Sequence, residues 1–243
     1  MSDFLLQKDK ETGEPLYDIK RCSFSIGICG LNECLKQITG KGVKENPEDG
    51  EKIVSFMTKK INEYKQNDNL RWSLFFSPAE STAHRFAEIN KKKYPKEAIV
   101  NGTKGSYYLT NSSHINVDDD ASLVEHIKNA NIFHKYAKAG NILHLWLGEP
   151  FPDPKSLYSL NKKISETETK FWDYTNDYTY CRNCQHNVQL PLLKCPNCGS
   201  KDVVVMSRIT GYYQPVLGYN NGKKQEFKDR YRHTFKKEKG NEL

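Results

Sequence analysis

Two segments set the architecture of this chain: Cys22-Ser-Phe-Ser-Ile-Gly-Ile28, and Asn46-Pro-Glu-Asp-Gly-Glu-Lys-Ile-Val-Ser-Phe-Met-Thr-Lys-Lys-Ile-Asn-Glu-Tyr-Lys-Gln-Asn-Asp-Asn-Leu-Arg-Trp-Ser-Leu-Phe-Phe76. The first alternates polar and apolar side chains over a strand's length. In the second, Ile53, Phe56, Met57, Ile61 and Tyr64 recur at helical spacing. The helix start is well marked, with Asn46 as the expected cap, Pro47 at the first position, and Glu48 and Asp49 against the dipole. Leu70 to Phe76 then reads as an aromatic-rich strand. Strand, helix, strand points to an α/β architecture with parallel strands.

The alternation continues outward. A helix is expected after Pro78, carrying Ala83, Phe86 and Ala87 inward, and another from about Asp120 with Leu123, Ile127 and Phe133 on one face. Asn141 to Leu147 reads as a third strand, and no repeat recurs at a fixed period. Residues 1–172 are therefore expected to form one α/β region. The 243 residues suffice to bury a core, and 37% hydrophobic content with 12% aromatics argues against wholesale disorder. No apolar run approaches the roughly eighteen residues of a membrane span. The first ten residues lack the apolar core of a signal peptide, so a cytoplasmic chain is expected. Its seven cysteines then read as metal ligands or redox groups before disulfides.

Four of those cysteines lie in a segment, 173–205, of different character. Cys181-x-x-Cys184, ten residues, then Cys195-Pro-Asn-Cys198-Gly199 is the spacing of two knuckles that aim four sulfurs at one point. Gly199 suits the turn after the second knuckle, where a positive φ is often needed. Zinc is the default metal and an iron–sulfur centre the alternative, since the ligand set alone does not choose. A closed four-thiolate site has no position for water and is structural. His186, inside the loop, is expected to be exposed.

Residues 206–218 follow as a loop, Met206-Ser-Arg-Ile-Thr-Gly-Tyr-Tyr-Gln-Pro-Val216 within it, and residues 219–243 as a basic tail. The tail holds eight Lys and Arg against four Asp and Glu, more than half of the chain's net charge of +7. It reads either as a solvated, frayed end or as a docking surface for an anionic partner. A second candidate site is Ser77-Pro-Ala-Glu80-Ser81-Thr82, where a strand gives way to a helix. Free N–H groups and hydroxyls at a helix start make a phosphate site; the alternative is a plain cap and capping box.

The knuckle, Arg208-x-x-Gly211-Tyr, and Asn220-Asn-Gly-Lys-Lys-Gln-Glu-Phe-Lys-Asp-Arg230 in succession resemble the C-terminus of anaerobic (class III) ribonucleoside-triphosphate reductases, which are glycyl-radical enzymes. Gly30-Leu-Asn-Glu33, Thr39-Gly-Lys-Gly42, Ser77-Pro-Ala-Glu-Ser81 with Arg85-Phe-Ala87, Tyr108-Leu-Thr-Asn-Ser-Ser113 and His144-Leu-Trp-Leu-Gly-Glu149 resemble segments of that family in the same order. The resemblance covers about Arg21 to Phe227. It implies the C-terminal half of a ten-stranded α/β barrel, a small zinc ribbon, and a loop whose Gly211 carries the radical. It further implies a radical-SAM activating enzyme with an iron–sulfur centre, a ribonucleoside triphosphate substrate whose phosphates meet Ser77, Glu80, Ser81 and Thr82, formate as reductant, and a homodimer of the assembled enzyme. Stored on Gly211, the radical would generate a thiyl on a cysteine, which takes the 3′-hydrogen of the ribonucleotide before the 2′-hydroxyl leaves as water.

That thiyl cysteine has no match among Cys22, Cys29 and Cys34, whose neighbours differ from the family's Gly-Cys-Arg setting. The resemblance therefore implies an upstream half or a companion chain. Two alternatives remain: a spare glycyl-radical subunit without its own catalysis, and a zinc-ribbon protein whose basic tail binds nucleic acid. The latter leaves the α/β region without a role, so neither nucleic acid nor a membrane is the expected partner.

Overall fold

The computed structural model describes residues 7–235. Strand β1 (Ser23–Ile28) pairs in parallel with β2 (Arg71–Phe76), Ser23 opposite Arg71 and Ile28 opposite Phe76. Helices α1 (Leu31–Thr39) and α2 (Pro47–Asp68) make the crossover. A second parallel pair, β3 (Leu143–Leu147) with β4 (Trp172–Asn176), follows helices α3 (Glu80–Lys93) and α4 (Leu123–His134) and is connected through α5 (Pro154–Ser165). The three strands expected in this part of the sequence are all present; β1 and β2 pair in parallel as expected, whereas β3 takes as its parallel partner β4, a strand the sequence pattern did not announce. Among the described residues, no helix is long and apolar enough to cross a membrane.

Alternation decides which face of each strand is buried. Ile26, Ile28, Leu74 and Phe76 pack with Leu31, Leu35, Val54, Ile61 and Phe133, whereas Ser23, Ser25 and Gly27 face outward. In the second pair Leu143 and Leu145 pack with Ala130 and Ile164, so His144 and Trp146 lie on the opposite face. That opposite face carries the polar groups discussed below.

Several local expectations need correction. Asn46 occupies the N-cap position of α2, as expected, but makes no side-chain cap bond; its amide donates instead to Asp49 Oδ2 at 2.9 Å. Phe56 and Tyr64 are 60% and 42% exposed, because Val54 and Ile61, with Ile53 and Met57, occupy the face of α2 that meets the core. Phe86 is 42% exposed while Ala83 and Ala87 are buried, its ring lying under Arg85 rather than in the core. The helix expected from Asp120 begins at Leu123, where Ser122 and Glu125 form a capping box.

The remaining strands form an antiparallel sheet in the order β6-β5-β7-β8, with β5 Tyr178–Cys181, β6 Asn187–Val188, β7 Val203–Arg208 and β8 Tyr213–Pro215. Strand β4 runs across the change of character expected at 172, and β7 across that expected at 205.

Of the two readings of the tail, the solvated, frayed end does not hold over the described residues 219–235, most of which are buried or half-buried. Helix α6 (Asn221–Asp229) packs on α3, and Lys223, Glu226 and Arg230 are 2%, 3% and 4% exposed. Lys223 Nζ meets Glu226 Oε2 at 2.6 Å and Arg230 Nη2 meets Glu226 Oε1 at 3.0 Å, so two of the tail's cations share one carboxylate inside the protein. Arg232 pairs with Asp177 at 2.7 Å. Gly222 is required here: a Cβ would lie 2.7 Å from both His84 Nδ1 and the Tyr107 carbonyl oxygen. The chain then returns to the free edge of β3, where His233 N donates to Trp146 O and Gly148 N to His233 O, both at 2.8 Å. Residues 236–243, with the rest of the expected tail, lie outside the described residues.

Candidate functional site

The four-cysteine site is built from two copies of one turn. Cys181 N donates to His186 O and Cys195 N to Ser200 O, at 2.9 and 2.8 Å. Gln185 N returns to Cys181 O and Gly199 N to Cys195 O, at 2.9 and 3.0 Å. The two turn residues share the left-handed conformation, with φ of 58° at Gln185 and 71° at Gly199. Each knuckle thereby presents its sulfurs to the other. All four Sγ atoms lie within 4.8 Å of one another, with Cys181–Cys198 and Cys184–Cys195 both at 3.6 Å.

Tetrahedral coordination at the usual zinc–sulfur distance separates the sulfurs by roughly 3.8 Å, so this donor set fits zinc. Asn183, donating to Cys198 Sγ at 3.6 Å, is the chief reason that this thiol is held down to about 6, with the Ser200 N–H adding to it. Asn197 does the same for Cys184, also at 3.6 Å. Amide donors thus favour the thiolate form that a metal needs. His186 is exposed, as expected.

Gly211 sits at the tip of the β7–β8 hairpin, in the loop Ile209–Tyr212, closed by Ile209 N donating to Tyr212 O at 3.1 Å. Ile209 and Thr210 are buried and Gly211 is exposed. Its φ is not positive, and a Cβ built on it meets nothing within 4 Å. The backbone at this position therefore does not require glycine, unlike that at Gly222.

Ser77–Thr82 is held from several sides. Ser77 N donates to Ile28 O at 3.2 Å, Ser77 Oγ accepts from Ala79 N at 3.2 Å, and Ser112 Oγ donates to Ser77 O at 3.0 Å. Asn220 Nδ2 reaches Glu80 O at 3.3 Å. Asn111, with its amide oriented to satisfy both neighbours, donates to Pro78 O at 2.7 Å and accepts from Lys223 Nζ at 2.9 Å. Ala79 precedes α3 with φ of 45°, and no side chain caps this helix start. The cap and capping box weighed for this segment are absent. Ser77, Glu80 and Thr82 are half-buried and Ser81 is exposed, so the helix start remains open to an anion.

The structure adds groups that the sequence did not single out. Asp173 on β4 bridges His144 and Arg208 beneath the hairpin. His144 and Trp146 also line a cavity of about 30 Å³ with His114, His126, Tyr108 and Tyr231. Burial, then the neighbouring histidines, pushes His114 well below its usual range. Of the remaining cysteines, Cys29 is pushed up to about 12, chiefly by burial and then by Glu33, and its thiol donates to Thr110 O at 3.8 Å. Only the separation of Asp173 and Arg208 in sequence hid this group; Lys223, Glu226 and Arg230 at helical spacing were a readable signal.

The model of the family described as anaerobic ribonucleoside-triphosphate reductase matches residues 1–233. The chain is 28% identical over 213 residues to the anaerobic ribonucleoside-triphosphate reductase of Enterobacteria phage T4, covering 86% of this chain and 30% of that protein. It is 25% identical over 251 aligned positions to that of Escherichia coli K12, covering 94% and 33%. The chain thus spans about a third of the length of the curated relatives it matches. An anaerobic ribonucleotide reductase structure superposes with a TM-score of 0.73 at 19% identity, over 93% of this chain and 36% of that one. The Thermotoga maritima enzyme with glycerol in its active site superposes with a TM-score of 0.69 at 18% identity, over 85% and 34%. These structural likenesses concern the fold, and the match over 1–233 carries the assignment: this chain belongs to the anaerobic ribonucleoside-triphosphate reductase family.

Proposed function

We propose that this chain is the glycyl-radical portion of an anaerobic ribonucleoside-triphosphate reductase, with the radical on Gly211. The observation that carries this reading is the freedom of Gly211: neither its φ nor its surroundings exclude a side chain, so its identity calls for a chemical reason. Only glycine allows an α-carbon radical to be planar and delocalised between amide and carbonyl with no side chain in the way. A radical-SAM activating enzyme with an iron–sulfur centre would remove the α-hydrogen, and the exposed tip of a hairpin gives such a partner access.

Within this reading, zinc at Cys181, Cys184, Cys195 and Cys198 is structural and stiffens the base of β5 and β7. The open start of α3, with Ser77, Glu80, Ser81 and Thr82, receives the substrate phosphates. The thiyl cysteine and the other strands of a ten-stranded barrel come from polypeptide beyond this chain, and formate supplies the electrons. The first parallel strand pair supports the barrel: its outward face, with Ser25 and Gly27 exposed, suits strands that still await a covering half.

The test is anaerobic. The chain and its upstream partner are incubated with the activating enzyme, reductant and S-adenosylmethionine, and the electron paramagnetic resonance spectrum is recorded. A doublet that disappears in Gly211→Ala is expected, and air should then cut the backbone at Gly211. No doublet, or the same doublet in Gly211→Ala, would sink the reading.

A further inference from the structure

Asp173 is 9% exposed and uses both carboxylate oxygens. Oδ1 lies 3.0 Å from His144 Nδ1, which a carboxylate partner keeps as the protonated nitrogen, and Oδ2 accepts from Arg208 Nη1 at 2.7 Å. The same Nη1 has a second hydrogen, and it donates to the Gly211 carbonyl oxygen at 3.3 Å. The Arg208 guanidinium also stacks 5.4 Å from the Tyr213 ring centre, and the Tyr213 hydroxyl donates to Asn176 O at 3.0 Å. Both strands of the hairpin are thus tied to β4, β7 through Asp173 and β8 through Asn176.

We infer that Asp173 is a positioning residue for the Gly211 loop, holding Arg208 so that a cationic donor rests on the carbonyl beside the radical carbon. The inference rests on the radical reading of Gly211. An unpaired electron on that carbon is shared with both flanking peptide groups, the amide nitrogen pushing density toward the carbonyl oxygen. A cationic donor on the oxygen favours this sharing and keeps the peptide group in the plane that permits it. Arg208 has a long side chain that is 26% exposed; without a fixed anion it would spend its time in water. His144 in turn occupies the other carboxylate oxygen, which stops Asp173 from rotating away.

The test uses the enzyme reconstituted as above, comparing wild type with Asp173→Asn and Arg208→Gln. Asp173→Asn keeps the shape and removes the charge; Arg208→Gln removes the charge and shortens the side chain, at a position open enough to leave folding intact. Each is expected to shorten the lifetime of the doublet by about tenfold or more, as losing one charge-assisted hydrogen bond implies, and to alter its α-proton splitting. The double variant should be no worse than either single one, since both break one contact chain. Zinc content reports folding, and if Asp173→Asn loses zinc, Arg208→Gln decides alone. A wild-type doublet with the same splitting and lifetime in both variants overturns the inference and leaves the radical reading standing. Absence of a Gly211-dependent doublet in wild type overturns the radical reading, and the inference with it.

Discussion

The ribbon that carries Gly211 and the α/β region beneath it are held together by different physics. Three hydrophobic clusters organise the described residues, and none draws a residue from 178–215. In the ribbon the most buried side chains are Cys181, Cys195, Thr179 and Ser207, while Val203, Val204, Val205 and Met206 of β7 are only half-buried, so its apolar strand is incompletely covered. The α/β region does the reverse: it spends its leucines and isoleucines on one face of each strand pair and keeps the other face for His144, Asp173 and Arg230. Rigidity in the first region rests on the two hydrogen-bonded knuckles and a four-sulfur set that fits zinc, and in the second on packing. On the proposed function, a loop that a partner must reach can be mounted on the first without disturbing the second.

The largest expected effect separates the two regions outright. Structural four-thiolate zinc contributes on the order of 10–16 kcal/mol of apparent folding free energy in small peptides, far more than one core residue. Replacing Cys195, buried at 2%, by Ser should release the metal and unfold 178–208 while the strand pairs keep their protection in hydrogen exchange. Metal analysis with exchange mass spectrometry checks this. Loss of protection in β1 and β2 together with the ribbon would show that the regions are one cooperative unit.

This division was only partly legible in the sequence. Strands β1, β2 and β3, helices α2, α3 and α4 and the four cysteines could be read because each is a local pattern: alternation, helical spacing, paired knuckles. Asn46 sits at the cap position as read, but an Asx side chain at a helix start can donate sideways as well as accept, and only the position of Asp49 decides. The charges after Tyr219 looked solvated because Lys and Arg usually are. Lys223, Glu226 and Arg230 at spacings of three and four residues had announced one another, yet their burial depends on α3, whose contact with α6 is remote in sequence. Asp173 and Arg208 lie on β4 and β7, and no local pattern couples strands of different sheets.

Next in size is a cut into the packed region. Phe133 is fully buried, and its ring lies 3.0 Å from where a Cβ on Gly50 would stand. Phe133→Ala should cost about 3–5 kcal/mol of α/β stability. Zinc content and the ribbon's exchange protection should stay at wild-type levels. A denaturant titration followed by Trp72 and Trp146 fluorescence measures the first; zinc lost at the same denaturant concentration in wild type and variant would support independent regions.

Acid should act on the same packed region. Burial pushes His126, His134 and His233 down to about 4 from an ordinary 6.5, so the folded protein keeps them neutral where the unfolded chain would protonate them. Their contribution is fully present above pH 6.5 and is lost progressively as the pH falls toward 4, on the order of 3 kcal/mol for each at full loss. His126→Gln should flatten the fall in denaturation midpoint between those pH values. An unchanged slope would mean that these imidazoles are wet.

The smallest effect on stability is expected where the chemistry is proposed to be greatest. Gly211→Ala adds a methyl group to an exposed tip, at a φ that alanine adopts, with nothing within 4 Å to displace. The folded state should tolerate it to within about 0.5 kcal/mol, and the smaller entropy of the unfolded chain pushes slightly toward stability. Gly222→Ala, one helix further on, must instead force His84 or the Tyr107 carbonyl aside and should cost at least as much as a typical overpacked core site, about 1–3 kcal/mol. Measuring both melting temperatures in the same buffer distinguishes a glycine kept by space from one kept by reactivity. If Gly211→Ala destabilises as much as Gly222→Ala, the hairpin tip is sterically constrained after all, and the main support for placing the radical there is gone.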